Sequence, residues 1–283
     1  MLSQTEVTYT IPEYPNQVRL DTTTKCQAHC LSCHRHLSQR QGEMSIEYID
    51  KILQDISTWK EPLHEIVPVN YGEFFMRTDW AFILQMIANK LPKTVIVIPT
   101  NGILIDDAVV DILCGISTLR IINFSINALF DETYEAFTGV EAQALRSMEK
   151  AIKKIKLLRP NIWLVASMVF DPEYQTDLER DNFYLYWKQF AFVQIIAAAS
   201  AGRGKPIHSP VKLPCRSIFS DIVIGYDGKI SLCCWDSRFS LDLGYYSGKV
   251  LDNWHSPQVT ELRRLHNEHR RAEIKLCSEC TFA

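Results

Sequence analysis

The chain has 283 residues, of which 47% are hydrophobic and 22% charged. That is enough apolar material for a sizeable core, and it excludes disordered, collagen-like and low-complexity chains. A formal net charge of −3 argues against a protein built to grip nucleic-acid backbones. No apolar run reaches about 18 residues, so no membrane-spanning helix is expected. Residues 1–15 lack a basic start followed by an apolar stretch, so a cytoplasmic protein with neither membrane nor nucleic-acid partner is expected.

In chain order, β-like runs fall at 18–22, 65–70, 94–98, 120–125, 162–170 and 192–198, mostly rich in Val and Ile as buried parallel strands are. Helical patterns alternate with them. Residues 45–59 place Ile46, Ile49, Ile52 and Leu53 on one stripe behind a Ser cap. Residues 142–158 repeat Leu145, Met148, Ile152 and Ile155 at spacings of three and four, and 108–116 is an apolar helix containing Cys114 as a core residue. Six β-α units imply an α/β fold with a parallel sheet curled into a partial (β/α)6 TIM-like barrel, short of the eight units that close one. Gly202-Arg203-Gly204-Lys205-Pro206 through Pro214 reads as a linker. Beyond it, strands at 220–224 and 229–233 flank the hairpin turn Tyr226-Asp227-Gly228, and a helix with Pro257 near its start covers 257–270. The expected division is a barrel over 1–204 and a small α+β extension over 205–283.

Nine cysteines cluster rather than scatter. An odd number without an export signal argues against a disulfide framework and for metal ligation. Cys26, Cys30 and Cys33 form a CxxxCxxC triplet after the first strand. Three thiolates leave one iron of a cubane cluster open, and strand C-terminal ends are where barrel sites form. A zinc site completed by His29, His34 or His36 is the alternative. Twelve residues separate Cys215 from Gly228, four more separate Gly228 from Cys233, and Cys277-Ser278-Glu279-Cys280 closes the set. Cys215, Cys233, Cys277 and Cys280 suit either a closed cluster or a zinc ribbon. Cys233 is preferred to Cys234 because strand neighbours point to opposite faces and the Gly-x4-Cys spacing picks Cys233, although the reverse stays open. No Gly-x-Gly-x-x-Gly follows the first strand, which removes a nicotinamide oxidoreductase.

The triplet and its place resemble the radical S-adenosylmethionine (radical SAM) superfamily. Tyr71-Gly72-Glu73 is similar to its Gly-Gly-Glu segment, with Tyr71 in place of the first Gly; Thr100-Asn101-Gly102 matches a frequent turn; Ser125-Ile126-Asn127 resembles Ser-Ile-Asp. The resemblance implies that Gly72, Glu73, Asn101, Ser125 and Asn127 contact SAM. Ser32 stands where many members carry an aromatic, so adenine contacts fall to backbone or to Ser167 and Ala198. Leu243-Gly244, Asn253-Trp254 and Leu262-Arg263 before the final Cys-x-x-Cys resemble SPASM and twitch extensions. A full SPASM extension has more cysteines than the five here, which implies a shortened, twitch-like one with a single auxiliary cluster. The implied cofactors are two [4Fe–4S] clusters and SAM, served by an external one-electron donor such as flavodoxin or ferredoxin. The implied chemistry is hydrogen abstraction by a 5′-deoxyadenosyl radical from a small hydroxylated substrate, as in the twitch aminocyclitol dehydrogenases that the chain resembles. Oxidation follows if the auxiliary cluster takes the electron, and epimerisation if Cys234 returns a hydrogen atom. Tyr71, Arg77, Asp171, Arg203, Trp235 and Asp236 are expected to line the pocket, with Arg203 and Asp236 binding or deprotonating a hydroxyl. Alternatives are a peptide-modifying maturase or epimerase and, outside enzymes, a zinc-binding scaffold.

Overall fold

A computed structural model of the protein describes residues 7–198, 213–278 and 280. The Val- and Ile-rich runs form β1 (Gln17–Leu20), β2 (Glu65–Val67), β3 (Val95–Thr100), β4 (Leu119–Ser125), β5 (Trp163–Phe170) and β6 (Phe192–Ala197). Each pairs in parallel with the next. Strand β2 is shorter than expected because Pro68 has no N–H to continue the ladder. Crossovers run through α1 (Ile46–Ser57), α2 (Trp80–Lys90), α3 (Asp107–Gly115), α4 (Asp131–Thr138) with α5 (Gln143–Leu158), and α6 (Asp177–Trp187). The Ser45 hydroxyl accepts the Tyr48 N–H at 3.2 Å to start α1, whose Ile49, Ile52, Leu53 and Ile56 are buried. Helix α5 buries Leu145, Met148, Ile152 and Ile155 in the same way. The result is the expected partial barrel.

Alternation along the strands divides the sheet's two faces. Val18, Leu20, Ile122 and Phe124 are fully buried beneath the helices, whereas Arg19 on β1 and Asn123 and Ser125 on β4 occupy the opposite, half-buried face. Among the described residues no helix is long and apolar enough to cross a membrane.

The C-terminal part comprises α7 (Ser217–Ser220), β7 (Asp221–Ile224), β8 (Ile230–Ser231), α8 (Val250–Trp254), α9 (Pro257–Asn267) and α10 (Lys275–Ser278). The expected hairpin forms, but β7 does not stand apart from the barrel. It pairs in parallel with β1, Gln17 opposite Asp221 and Leu20 opposite Ile224, giving the order β6-β5-β4-β3-β2-β1-β7-β8. Strand β1 would otherwise leave an unpaired edge, and buried Ile222, Val223 and Ile224 cover it. Arg263 of α9 is fully buried, donating to the Ile218 and Trp254 carbonyls at 2.9 Å and lying 3.8 Å over the Trp254 ring. The expected linker, the boundary at residue 204 and Arg203 lie outside the described residues.

Candidate active site

The cysteine triplet is carried by the loop between β1 and α1, and that loop is pinned on three sides. At its base, Thr23 and Glu43 form an antiparallel bridge, with Met44 N–H donating to Thr22 O at 2.8 Å and Thr24 N–H to Gly42 O at 3.0 Å. At its far side, the His29 and Leu31 N–H groups donate to Thr138 O at 2.8 Å and Phe137 O at 2.9 Å, satisfying carbonyls that the end of α4 leaves open. Behind Cys33 a 3-10 turn, His34–Leu37, begins with the Arg35 N–H on the Cys33 sulfur at 3.4 Å. Arg77 completes the anchorage from below. Its guanidinium donates to Thr22 O at 2.7 Å and Met44 O at 3.0 Å while gripping both Asp79 oxygens at 2.7 Å. Arg77 is therefore a staple under the loop, not the pocket residue expected from sequence. Four of its five N–H donors are spent on these protein groups, and it is 6% exposed.

The loops after β2 and β3 are joined to the triplet. Gly72 packs so closely beneath it that a Cβ there would lie 2.1 Å from Thr23 O. Glu73 N–H donates to Lys25 O at 2.7 Å. The Glu73 carboxylate is buried and receives the Thr100 hydroxyl at 2.8 Å, the Asn101 N–H at 2.7 Å and the Phe75 N–H at 3.3 Å. Burial raises its pKa against the lowering effect of these donors. Glu73 thus braces one loop on the other. The Asn101 amide reaches Cys26 Sγ at 3.6 Å. At the ends of β4 and β5, Ser125 lies opposite Ser167, whose hydroxyl is tied to Phe124 O at 3.2 Å. Asn127 adopts a left-handed conformation, φ 66°, and its Oδ1 accepts the Val169 N–H at 3.0 Å. Its side chain joins β4 to β5, and its backbone is engaged as well, the N–H donating to Ser167 O at 3.1 Å and the carbonyl accepting from the Gln175 amide. Ala198 N–H donates to Phe170 O at 2.9 Å. The sequence-expected residues thus assemble at the C-terminal ends of β1 to β5, several of them as braces.

In the second group, Cys215 precedes α7, Cys233 and Cys234 follow β8, and Cys277 lies in α10 with Cys280 just beyond it. Cys233 has left the strand, so alternation is not what separates it from Cys234. Their surroundings do so instead. Burial pushes the Cys233 thiol well up, with the Cys234, Cys215 and Cys277 charges adding to it. Cys277 is pushed up to about 12 by burial, relieved by Arg271 and raised further by Cys215 and Cys280. Cys233 thus feels the charges of Cys215 and Cys277 as well as that of its neighbour Cys234. Cys234, raised by burial, feels first Arg19 of β1 and Asp221 of β7, then Cys215. The Cys233–Asp236 turn is knit by Asp236. Its two oxygens take the Ser240 N–H at 2.7 Å, the Ser240 hydroxyl at 2.8 Å, the Ser231 hydroxyl at 2.9 Å and the Leu241 N–H at 3.1 Å. Four donors on a carboxylate 2% exposed make Asp236 a structural knot, whereas the sequence led to the expectation that it binds or deprotonates a substrate hydroxyl. Asp171, also expected in the pocket, accepts the Glu173 N–H at 3.1 Å in the turn after β5.

Two of the expected pocket residues, Tyr71 and Trp235, flank His34, an arrangement the sequence did not reveal. The His34 ring is 6.4 Å from Tyr71, nearly parallel to it, and 5.1 Å from Trp235. The Tyr71 hydroxyl is buried without a hydrogen-bond partner among the described residues. Burial drives its pKa well up, with cysteines of both groups, Cys234, Cys233 and Cys33, adding to the rise. Tyr71 therefore stands between the two thiol sets. Asn70 Nδ2 and Asn123 Oδ1 are likewise buried and unpartnered. A second missed feature is Asp21, directly after β1. It is 2% exposed, has its pKa pushed up to about 6 by burial, and accepts the Tyr71 N–H at 3.4 Å. Only its position at a strand end hinted at this.

The donor chemistry fits iron–sulfur clusters. Burial pushes Cys30 up to about 12, and Cys33 and Cys26 add to it, so three thiols share one enclosure that demands a positive centre when they ionise. Arg35 opposes that rise, and its Nε is buried with no partner among the described residues. Arg271 relieves Cys277 in the second group in the same way.

Residues 20–179, more than half of the chain, match the family model "Radical SAM superfamily", and residues 215–281 match SPASM, "Iron-sulfur cluster-binding domain". Among solved structures, BtrN in complex with AdoMet and 2-DOIA superimposes with a TM-score of 0.67 at 14% identity, covering 97% of this chain and 94% of that one. Native anSMEcpe with bound AdoMet gives 0.70 at 15% identity, covering 93% and 88%. SuiB from Streptococcus suis gives 0.60 at 17% identity, covering 90% and 69%. Curated proteins yield no match. The chain belongs to the radical SAM superfamily, with a [4Fe–4S] cluster and SAM bound by its barrel and an auxiliary iron–sulfur cluster by its C-terminal domain.

Proposed function

We infer that the protein oxidises or epimerises a carbon centre of a small hydroxylated molecule, such as a sugar, an aminocyclitol or another natural-product intermediate. The observation that carries this reading is mutual coverage. This chain and BtrN, whose structure holds 2-DOIA, cover 97% and 94% of each other, against 93% and 88% for anSMEcpe and 90% and 69% for SuiB. The bound groups supply SAM cleavage, hydrogen abstraction and a one-electron sink. Cys26, Cys30 and Cys33 would hold the first cluster, and Cys215, Cys233, Cys277 and Cys280 the second.

The chain's own part is to hold the substrate between them. The Tyr71 hydroxyl and the Asn123 and Asn70 amides are buried polar groups without partners among the described residues, as expected where a ligand's own polar groups belong. Oxidation of a secondary alcohol removes one hydrogen atom from carbon, one proton from oxygen and one electron to the second cluster, leaving a ketone. That Cys234 feels Arg19 and Asp221 ahead of Cys215 supports a role for it outside the four-cysteine set. Its S–H would return a hydrogen atom to carbon in an epimerisation, and the thiyl radical left on its sulfur would be restored to the thiol by one electron from the external donor and one proton.

A peptide substrate is the second reading. It is favoured by the likeness to anSMEcpe with a bound Cp18Cys peptide, TM-score 0.70. Anaerobic incubation with SAM, dithionite and parallel panels of aminocyclitols, sugars and Cys- or Ser-containing peptides separates the two. The expected result is 5′-deoxyadenosine with a product from the small-molecule panel that has lost two hydrogens or has inverted a centre. Turnover with peptides alone would overturn the reading.

A further inference from the structure

We propose that Asn101 tunes the reduction potential of the first cluster through a side-chain N–H···S hydrogen bond to Cys26. The orientation of its amide follows from its neighbours. Ile103 N–H, which can only donate, lies 3.1 Å from Oδ1, so Nδ2 is the atom facing Cys26 Sγ at 3.6 Å. Gln27 meets the same amide reciprocally, its Nε2 on Oδ1 and its Oε1 on Nδ2, both at 3.4 Å. The backbone beneath is fixed as well. Asn101 N–H donates to buried Glu73 at 2.7 Å, and the Thr100 hydroxyl both donates to Glu73 at 2.8 Å and receives the Gly102 N–H at 2.9 Å. The carboxylate that braces the β2 loop thereby aims an amide donor at a cysteine of the β1 loop.

The sign of the effect follows from where the added electron resides. Reduction places more negative charge on the cluster and its thiolates, so a donor on a ligating sulfur stabilises the reduced state more than the oxidised one and raises the potential. Removing the donor makes the cluster harder to reduce, and electron entry into this cluster precedes SAM cleavage. The proposal rests on Cys26 being a ligand, which Cys26→Ala checks separately through loss of the SAM-responsive signal.

The test is an EPR-monitored potentiometric titration of the full-length, two-cluster protein, following the signal that changes on adding SAM. Asn101→Leu removes the donor. Asn101→Asp also removes it but keeps Oδ1 for Ile103, so the turn survives. Gln27→Leu removes the neighbouring amide without touching the N–H···S contact. The expectation is a roughly tenfold weaker reduction equilibrium in both Asn101 variants, about 59 mV more negative for a one-electron couple, with Gln27→Leu at the wild-type value. A wild-type potential in either Asn101 variant would overturn the proposal. Loss of the cluster from both, with Gln27→Leu intact, would overturn it too, because Asn101 would then hold the loop rather than tune the metal.

Discussion

Asp236→Ala separates a structural knot from a catalytic base. The carboxylate receives four donors. Two are hydroxyls, Ser231 and Ser240, which can rotate to new partners. The other two are backbone N–H groups, Ser240 and Leu241, which cannot. Each buried donor left unsatisfied costs about 1–3 kcal/mol, so the variant should lose about 2–6 kcal/mol of stability. Asp236→Asn should lose about half as much, since one of its two oxygens becomes an N–H2 facing the Leu241 N–H. The loss should concentrate in the turn that carries Cys233, so auxiliary iron should fall before the first cluster is affected. Urea unfolding of the anaerobic protein, with iron counted per chain, reads both quantities. If either variant unfolded within about 0.5 kcal/mol of wild type, kept all its iron and yet failed to turn over substrate, the structural assignment would be wrong and the base would be reinstated.

Asp21→Asn should stabilise the protein above pH 6 and leave it unchanged below about pH 4. The raised Asp21 pKa, about 6, means the folded state holds a proton that the unfolded state has released in that window, so stability falls as pH rises through it, by at most about 3 kcal/mol. A gain independent of pH in urea titrations would contradict this. Gly72→Ala should push the loop off Thr23 O and remove iron from the first site alone, read as loss of SAM cleavage with auxiliary iron retained; full SAM cleavage would contradict the close packing. Cys234→Ala should keep auxiliary iron at the wild-type level, whereas loss of that iron would make Cys234 rather than Cys233 a ligand.

The sheet was legible because buried parallel strands write themselves as Val- and Ile-rich runs, and the cysteine groups were legible because their spacing is dense. Residue roles were not. Arg77, Asn127 and Asp236 are polar residues near strand ends or cysteines, and nothing in one dimension tells a ligand contact from a brace. The difference lies in which backbone donors and acceptors surround them: carbonyls of Thr22 and Met44 for Arg77, the Val169 N–H for Asn127, four donors for Asp236. The choice of Cys233 over Cys234 rested on strand alternation and on the Gly-x4-Cys spacing, yet β8 ends at Ser231, so alternation no longer bears on it. The pair differs in its surroundings, Cys277 adding to the Cys233 shift and Arg19 and Asp221 acting on Cys234. The docking of β7 on β1 was hidden as well, since a four-residue apolar strand carries no mark of its neighbour. Tyr71 stood out in sequence as a departure from Gly-Gly-Glu and as a pocket-lining candidate, but not as a hydroxyl that feels cysteines of both thiol sets.

The central claim is that two separate thiol sets each hold a cluster, and that the first one cleaves SAM. Iron and sulfide analysis of anaerobically reconstituted wild type beside a Cys26→Ala, Cys30→Ala, Cys33→Ala triple variant tests it most directly. Wild type should hold about eight iron and eight sulfide per chain and release 5′-deoxyadenosine on reduction with SAM, and the triple variant should fall to about four of each and release none. Zinc in place of iron in the wild type, or an iron count unmoved by the triple substitution, would contradict the account.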